Sequence, residues 1–396
     1  MVEGGAAGAR GRLLVLGAGP AQIGLLRRAR EGGLFVIAAD RDPAAPGLQL
    51  AQRRALISAE DENGIVRLAE AERVDGLVAP GIDWPVAIAA RVARRLGLPH
   101  PISPETAALA TIKLRQRERL DEAGVPQPRW HKVRPGDPPP ELPCVVKPPD
   151  RQGQRGLSVV RDRREFDAGV ERAVALSRTG TCLAEELVDG PEVTVNGFSV
   201  AGLFHPLTVT DRLLADPPAF GVALAHAWPS EHDAAEVAAA AVTALDIDDG
   251  PSYTQVRIGP AGPRVMEVAA RLGGGHDAEL CELALGVDLN ALAIEAALGE
   301  RPGAPRAEPR AGGACVRFLV APAGTLDVVD GVEQAAALPG IAEVRVYRAP
   351  GHRFAPLRVG ADRAGAVLAV GDDRDDALAR AGAAASRIVF RRRRST

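Results

Sequence analysis

The run Pro263-Arg264-Val265-Met266-Glu267-Val268-Ala269-Ala270-Arg271-Leu272-Gly273-Gly274-Gly275-His276 carries a carboxylate, a guanidinium four residues later, and three glycines. Gln255 lies twelve residues before Glu267, in the β-rich stretch Tyr253-Thr254-Gln255-Val256-Arg257-Ile258. Gly259-Pro260-Ala261-Gly262 between the two stretches reads as a hairpin loop, so antiparallel pairing sets Gln255 beside Glu267. Both side chains offer oxygen to a hard cation such as Mg²⁺. Arg271 offers the forked donor that suits phosphate. These residues point to a metal–nucleotide site.

The lysines sharpen that expectation. Lys and Arg together number 48, yet only three are lysines: Lys113, Lys132 and Lys147. In a chain this biased to Arg, Lys persists where a compact ammonium on a flexible stem is needed. Lys147 closes the apolar strand Cys144-Val145-Val146-Lys147. It is followed by Asp150-Arg151-Gln152-Gly153-Gln154-Arg155-Gly156, a turn whose amides can cradle phosphate. Lys113 opens a helix expected over Lys113 to Ala123.

Taken in order, five segments resemble the ATP-grasp superfamily over about residues 12 to 300. They are Thr111–Leu114, Val146–Pro148, the glycine loop, Ala184–Val195, and Glu267–Gly275. The resemblance implies that Lys113 and Lys147 contact ATP phosphates, together with Gln154 and Gly156 of the loop. It implies that Glu185, Glu186, Leu187 and Val188 hold adenine, Glu192 holds ribose, and Gln255 and Glu267 hold Mg²⁺, or Mn²⁺ in its place. The activity it implies is an ATP-dependent carboxylate–amine ligase. Lys147 and Arg271 would be catalytic, acting on small, amino-acid-like acids and amines. Two positions depart from the pattern. Gln255 stands where the family usually has Glu, and Ala269 where it has Asn, so a second metal ion loses donors. His226, Gly274, Gly275 and His276 are candidate substrate contacts, although a lone His is more often structural.

The elements expected around these residues are α/β. Leu13–Leu16, Leu34–Ala39, Ala55–Ile57 and Gly76–Ala79 read as strands of a parallel sheet, with a helix over Pro85–Leu96. An N-terminal Rossmann-like domain over 12–103 is therefore expected. A two-part α+β ATP-grasp domain follows over 104–304, with a lid near 128–190. A small α+β domain resembling that of L-amino-acid ligases, and ending in a basic tail at Arg391–Arg394, occupies 305–396. Gly17-Ala18-Gly19-Pro20-Ala21-Gln22-Ile23-Gly24, with Asp40 beyond it, approaches a dinucleotide fingerprint. Gln22 stands where the third glycine is required, which favours a structural turn over an NAD site.

Composition sets the outer limits. The net charge of −3 argues against nucleic acid or an anionic membrane as partner. No apolar run reaches spanning length and the first eleven residues are too polar for a signal peptide, so a cytoplasmic protein is expected. A homodimer is compatible with these features. Aromatic residues are only 3% of the chain, so Ala, Val and Leu must build the cores. Cys144, Cys182, Cys281 and Cys315 lie in apolar contexts without metal spacing and read as buried thiols.

Overall fold

The computed structural model describes residues 10–151, 153–216, 219 and 221–393. The four N-terminal strands form a parallel sheet in the spatial order Arg53–Ala55, Phe35–Ala39, Arg12–Leu16, Gly76–Val78. The central strand reads Arg-Leu-Leu-Val-Leu and is apolar on both faces because helices cover both. The third strand is Arg53–Ala55 rather than Ala55–Ile57. It is an edge strand, so two arginines can face water where an interior strand would need apolar residues. The helix expected from Pro85 begins two residues earlier, over Asp83–Leu96.

An eight-stranded antiparallel sheet forms the body. Its order is Gly262–Ala269, Gly250–Gly259, Glu192–Val200, Leu203–Leu214, Ala223–Trp228, Gly313–Leu319, Gly365–Gly371, Ile341–Val346. A separate four-stranded sheet holds Trp130–Val133, Cys182–Glu186, Cys144–Lys147 and Ser158–Val160, backed by the helix Arg163–Leu176. Its small core is Val146, Val160, Phe166, Val170, Cys182 and neighbours. The architecture is the expected one: a parallel N-terminal sheet, a two-part α+β centre and a C-terminal α+β unit. All four cysteines are free and buried. The basic tail is not a solvated segment over its described length. Val389–Arg392 pairs with Gly324–Asp330, with Phe390 buried and Arg391 and Arg392 both exposed, Arg391 meeting Asp330. Arg394 and the first nine residues lie outside the described range.

With few aromatics, elements approach closely through small residues. Gly76 is an example: a Cβ there would lie 2.2 Å from the Ala297 carbonyl oxygen at the end of the helix Leu289–Ala297. Gly76→Ala should therefore push that helix from the parallel sheet and cost about 1–3 kcal/mol, as overpacking typically does. A denaturant midpoint equal to wild type would refute this close contact.

Candidate functional site

The hairpin expected around Gln255 forms in that register. Gln255 lies opposite Glu267 on one side and Thr194 on the other. The connection is tighter than the four residues read as loop, with Gly259 and Gly262 already paired. The strand bearing Glu267 is also bulged. Gln255 pairs with Glu267, whereas Val256 pairs with Val265, leaving Met266 as the extra residue. Neighbouring residues on a regular strand point to opposite faces, yet Met266 and Glu267 line the same cavity.

That cavity, about 110 Å³, lies between the small sheet and the body. It is lined by Lys113, Lys147, Gln154, Glu185, Glu186, Leu187, Val188, Glu192, Gln255 and Glu267, so one wall collects almost every residue picked for nucleotide and metal. Gly156 does not line it. Its φ of +79° and the Pro148 ring 3.1 Å from where a Cβ would sit make it a turn residue instead.

Lys113, Lys147, Glu185, Glu192 and Glu267 are already paired within this cleft. Lys113 Nζ donates to Glu267 Oε1 at 2.6 Å and to the Arg151 carbonyl at 3.0 Å. Burial works against the Lys113 charge, but Glu267 and Asp83 outweigh it and raise its pKa. Lys147 is shifted down, by burial first and then by Arg117 and Lys113 nearby, with Glu185 offsetting part. Glu192 meets Arg257 at 3.0 Å and also pairs with Arg212 and the Gln255 amide.

Glu185 lines the cleft, yet its carboxylate is 1% exposed and held in two ion pairs, with Arg117 at 2.9 Å and Lys147 at 2.6 Å. Strand alternation turns Glu185 inward and leaves Glu186 half-buried beside Arg129.

A larger cavity, about 450 Å³, adjoins the first. It lies outside the carboxyl ends of the parallel strands, bordered by Gly17, Asp40 and Gly81. Gly153, Gln154, Arg155, Gln255 and Glu267 line both cavities, so the two meet at the expected metal ligands. Arg271, His226, Gly274 and Gly275 line the larger one. Arg271 pairs with Asp83, its Nε donating at 2.7 Å, and its guanidinium lies 5.3 Å from the Tyr253 ring centre. Asp83 begins a helix just after a parallel strand, and that position was the signal for it. His276 is not a cavity residue. It is buried at φ +60°, with ring nitrogens on Tyr347 at 2.5 Å and Arg345 at 2.9 Å. The Asp40 carboxylate accepts the Ala18 and Asp42 amides at 2.8 and 2.9 Å, which makes it a turn cap rather than a ribose ligand.

Glu267 and Gln255 fit a hard divalent cation. One carboxylate oxygen of Glu267 is left over beside Lys113, and Gln255, which donates its nitrogen to Glu192, keeps its oxygen. Ala269, opposite Tyr253, adds no donor. Among the described residues no cluster of three or more His, Cys, Asp or Glu forms a metal cage, so phosphate oxygens would have to complete the shell. No described helix is long and apolar enough to cross a membrane.

This fold and this cleft between two α+β units are those of the ATP-grasp architecture. The chain resembles the L-amino-acid ligases in particular: residues 317–393 match the family described as L-amino acid ligase C-terminal domain 2. The crystal structure of L-amino acid ligase from Bacillus licheniformis superposes with a TM-score of 0.83 at 20% identity, covering 98% of this chain and 100% of that one. Phosphoribosylglycinamide synthetase from Anaerococcus prevotii gives a TM-score of 0.78 at 18% identity, over 97% of this chain and 100% of that one. A curated relative, "Uncharacterized protein y4rH" of Sinorhizobium fredii (strain NBRC 101917 / NGR234), is 32% identical over 306 residues, 72% of this chain. This chain spans 62% of that relative's length.

The Glu185 ion pairs have a measurable consequence. Burial raises the Glu185 pKa, but Arg117 and Lys147 together hold it down to about 2, against an ordinary 4.5. A depressed carboxylate contributes stability above its unfolded pKa and loses it as pH falls through the folded one. Stability should thus decline between about pH 4.5 and 2 through this group. Glu185→Gln leaves two buried cations without a counter-charge and should cost about 3–5 kcal/mol at neutral pH. In a denaturant titration the variant's extra loss should shrink towards pH 2; a loss of equal size at every pH would contradict the assignment.

Proposed function

We propose that this protein is an ATP-dependent ligase that joins a carboxylic acid to an amine through an acyl phosphate, releasing ADP and phosphate. The observation that carries the reading is the shared wall. The cleft beside Lys113 and Lys147 opens into the larger cavity at Gln255, Glu267 and the glycine loop. A nucleotide bound with its triphosphate at Lys113 and Lys147 would therefore end where a second molecule can be held.

A carboxylate is a poor electrophile because hydroxide leaves slowly. Phosphorylation replaces hydroxide with a good leaving group, and catalysis then consists of positioning and charge neutralisation. Lys147 and the loop amides neutralise the phosphates, with Lys113 in support. A divalent cation held at Glu267 and Gln255 would supply further neutralisation there. Arg271, kept rigid by Asp83 and Tyr253, is set to bind the transferred phosphoryl group. Gly274 and Gly275 let backbone approach the acid. Gln154, at φ +63°, donates to the Gly221 carbonyl at 3.1 Å, which ties the glycine loop to the body. That loop would act as a lid that keeps water from the acyl phosphate. The resemblance to L-amino-acid ligases supports amino-acid-like substrates and a dipeptide product.

The test is an ADP-release screen of acids against amines, followed by ¹⁸O in the carboxylate of the productive acid. Acyl-phosphate chemistry carries one labelled oxygen into released phosphate. Product without labelled phosphate would eliminate the mechanism. Arg271→Lys keeps the charge but loses the fork, so kcat should fall about 100- to 1,000-fold while ATP affinity changes little. Equal losses in both would move Arg271 from chemistry to nucleotide binding. Glu267→Ala should abolish most Mg²⁺-dependent turnover; near-normal turnover at limiting Mg²⁺ would refute the metal assignment.

A further inference from the structure

We propose that His226, oriented by Asp277, is the general base that removes a proton from the amine substrate. The proposal rests on the ligase reading above and assigns its second half-reaction.

His226 and Asp277 form a buried pair whose geometry fixes one tautomer. His226 Nδ1 lies 3.0 Å from Asp277 Oδ1, while Asp277 Oδ2 accepts the Gly275 amide at 2.9 Å. The carboxylate is thus held at both oxygens. Nδ1 donates to it, which leaves Nε2 as the lone-pair nitrogen. Nε2 has no hydrogen-bond partner among the described residues, and His226 lines the larger cavity. The ring is wedged in place. Phe318 meets it edge-on with centroids 5.5 Å apart, and a Cβ on Gly275 would stand 2.3 Å from its Cε1. The base therefore touches the glycine turn that follows Arg271.

The surrounding charges suit a base. Burial lowers the His226 pKa, Asp277 opposes this, and Arg212 and Arg363 add to the lowering. Arg212 faces it from the adjacent strand, directly opposite in register, and Arg363 lies over the Phe318 ring at 3.6 Å. Burial works against the Asp277 charge, but the His226 and Gly275 contacts hold it ionised. His226 also borders the phosphoryl side of the cavity, lining the same volume as Arg212, Tyr253, Arg271 and Glu267.

The proton balance is complete. His226 Nε2 takes one proton from the substrate ammonium and becomes an imidazolium paired with Asp277. The freed amine attacks the acyl carbonyl, the carbon–oxygen bond to phosphate breaks, and phosphate leaves with the electron pair. The second nitrogen proton goes to phosphate, and His226 returns its proton to water.

Hydroxylamine tests this, because it is largely unprotonated near neutral pH and needs no base. The acid and the amine are those found productive in the ADP-release screen. For His226→Gln, amide formation should fall at least about 100-fold, within the range for general bases. Hydroxamate formation with hydroxylamine should fall less than about tenfold. Asp277→Asn should show the same selectivity in weaker form, and it carries the comparison if His226→Gln does not fold. Equal loss of amide and hydroxamate would make the dyad structural and overturn the base; so would retention of both. Absence of hydroxamate from the wild-type protein would instead overturn the acyl-phosphate reading, and the base with it.

Discussion

Arg117 is the contact on which the cleft depends. Its guanidinium donates to the Val265 and Met266 carbonyls at 2.9 and 2.6 Å, to Gln127 at 3.0 Å, and to Glu185 at 2.9 Å. Those carbonyls belong to the bulge that turns Glu267 into the cavity. The same guanidinium neutralises the carboxylate that holds Lys147. One side chain thus fixes the strand that offers oxygen and, through Glu185, the strand that offers an ammonium. With side chains only 2% and 1% exposed, neither ion tolerates losing the other, because an uncompensated buried charge is costly.

The body sheet shows how a charged face can survive inside a fold. Arg257, Glu192, Arg212 and His226 form one row across four neighbouring strands. Gln255, Thr194 and Thr210 form the next row, with Glu267 beyond Gln255. Opposite charges and neutral polar groups alternate along the rows, so within them no two carboxylates and no two guanidinium groups stand directly opposite each other. The reverse face carries Val193, Val195, Val256 and Val268 into the core. Strand parity therefore separates chemistry from packing.

Much of this was legible in the sequence, for physical reasons. Gln255 opposite Glu267 followed from a short glycine-flanked hairpin, since turn length sets register. The lysines stood out because the chain otherwise uses arginine. The bulge was not legible, because it depends on the buried Arg117 beneath it. Arg117 itself sits in Lys-Leu-Arg-Gln-Arg-Glu-Arg-Leu-Asp-Glu, a helix so polar that no periodicity marks one arginine as internal. Glu185 and Glu186 read as equivalent neighbours, and only the pairing partners show which one faces in. His276 was mistaken for a cavity residue because its left-handed backbone reverses the side chain's direction. Arg363 came from a loop of the C-terminal unit, where local pattern says nothing about a distant cavity.

The four cysteines give the fold an internal set of reporters. Cys144 and Cys182 lie in the small sheet, Cys281 and Cys315 in the body. Burial pushes Cys182, Cys281 and Cys315 up to about 12 and raises Cys144 as well. Alkylating reagents attack the thiolate, so none of these sulfurs reacts appreciably while its surroundings stay closed. Their modification is gated by local opening. Two cysteines in each half allow the breathing of the cleft's roof to be clocked separately from that of its floor, by mass, in the unmodified natural chain.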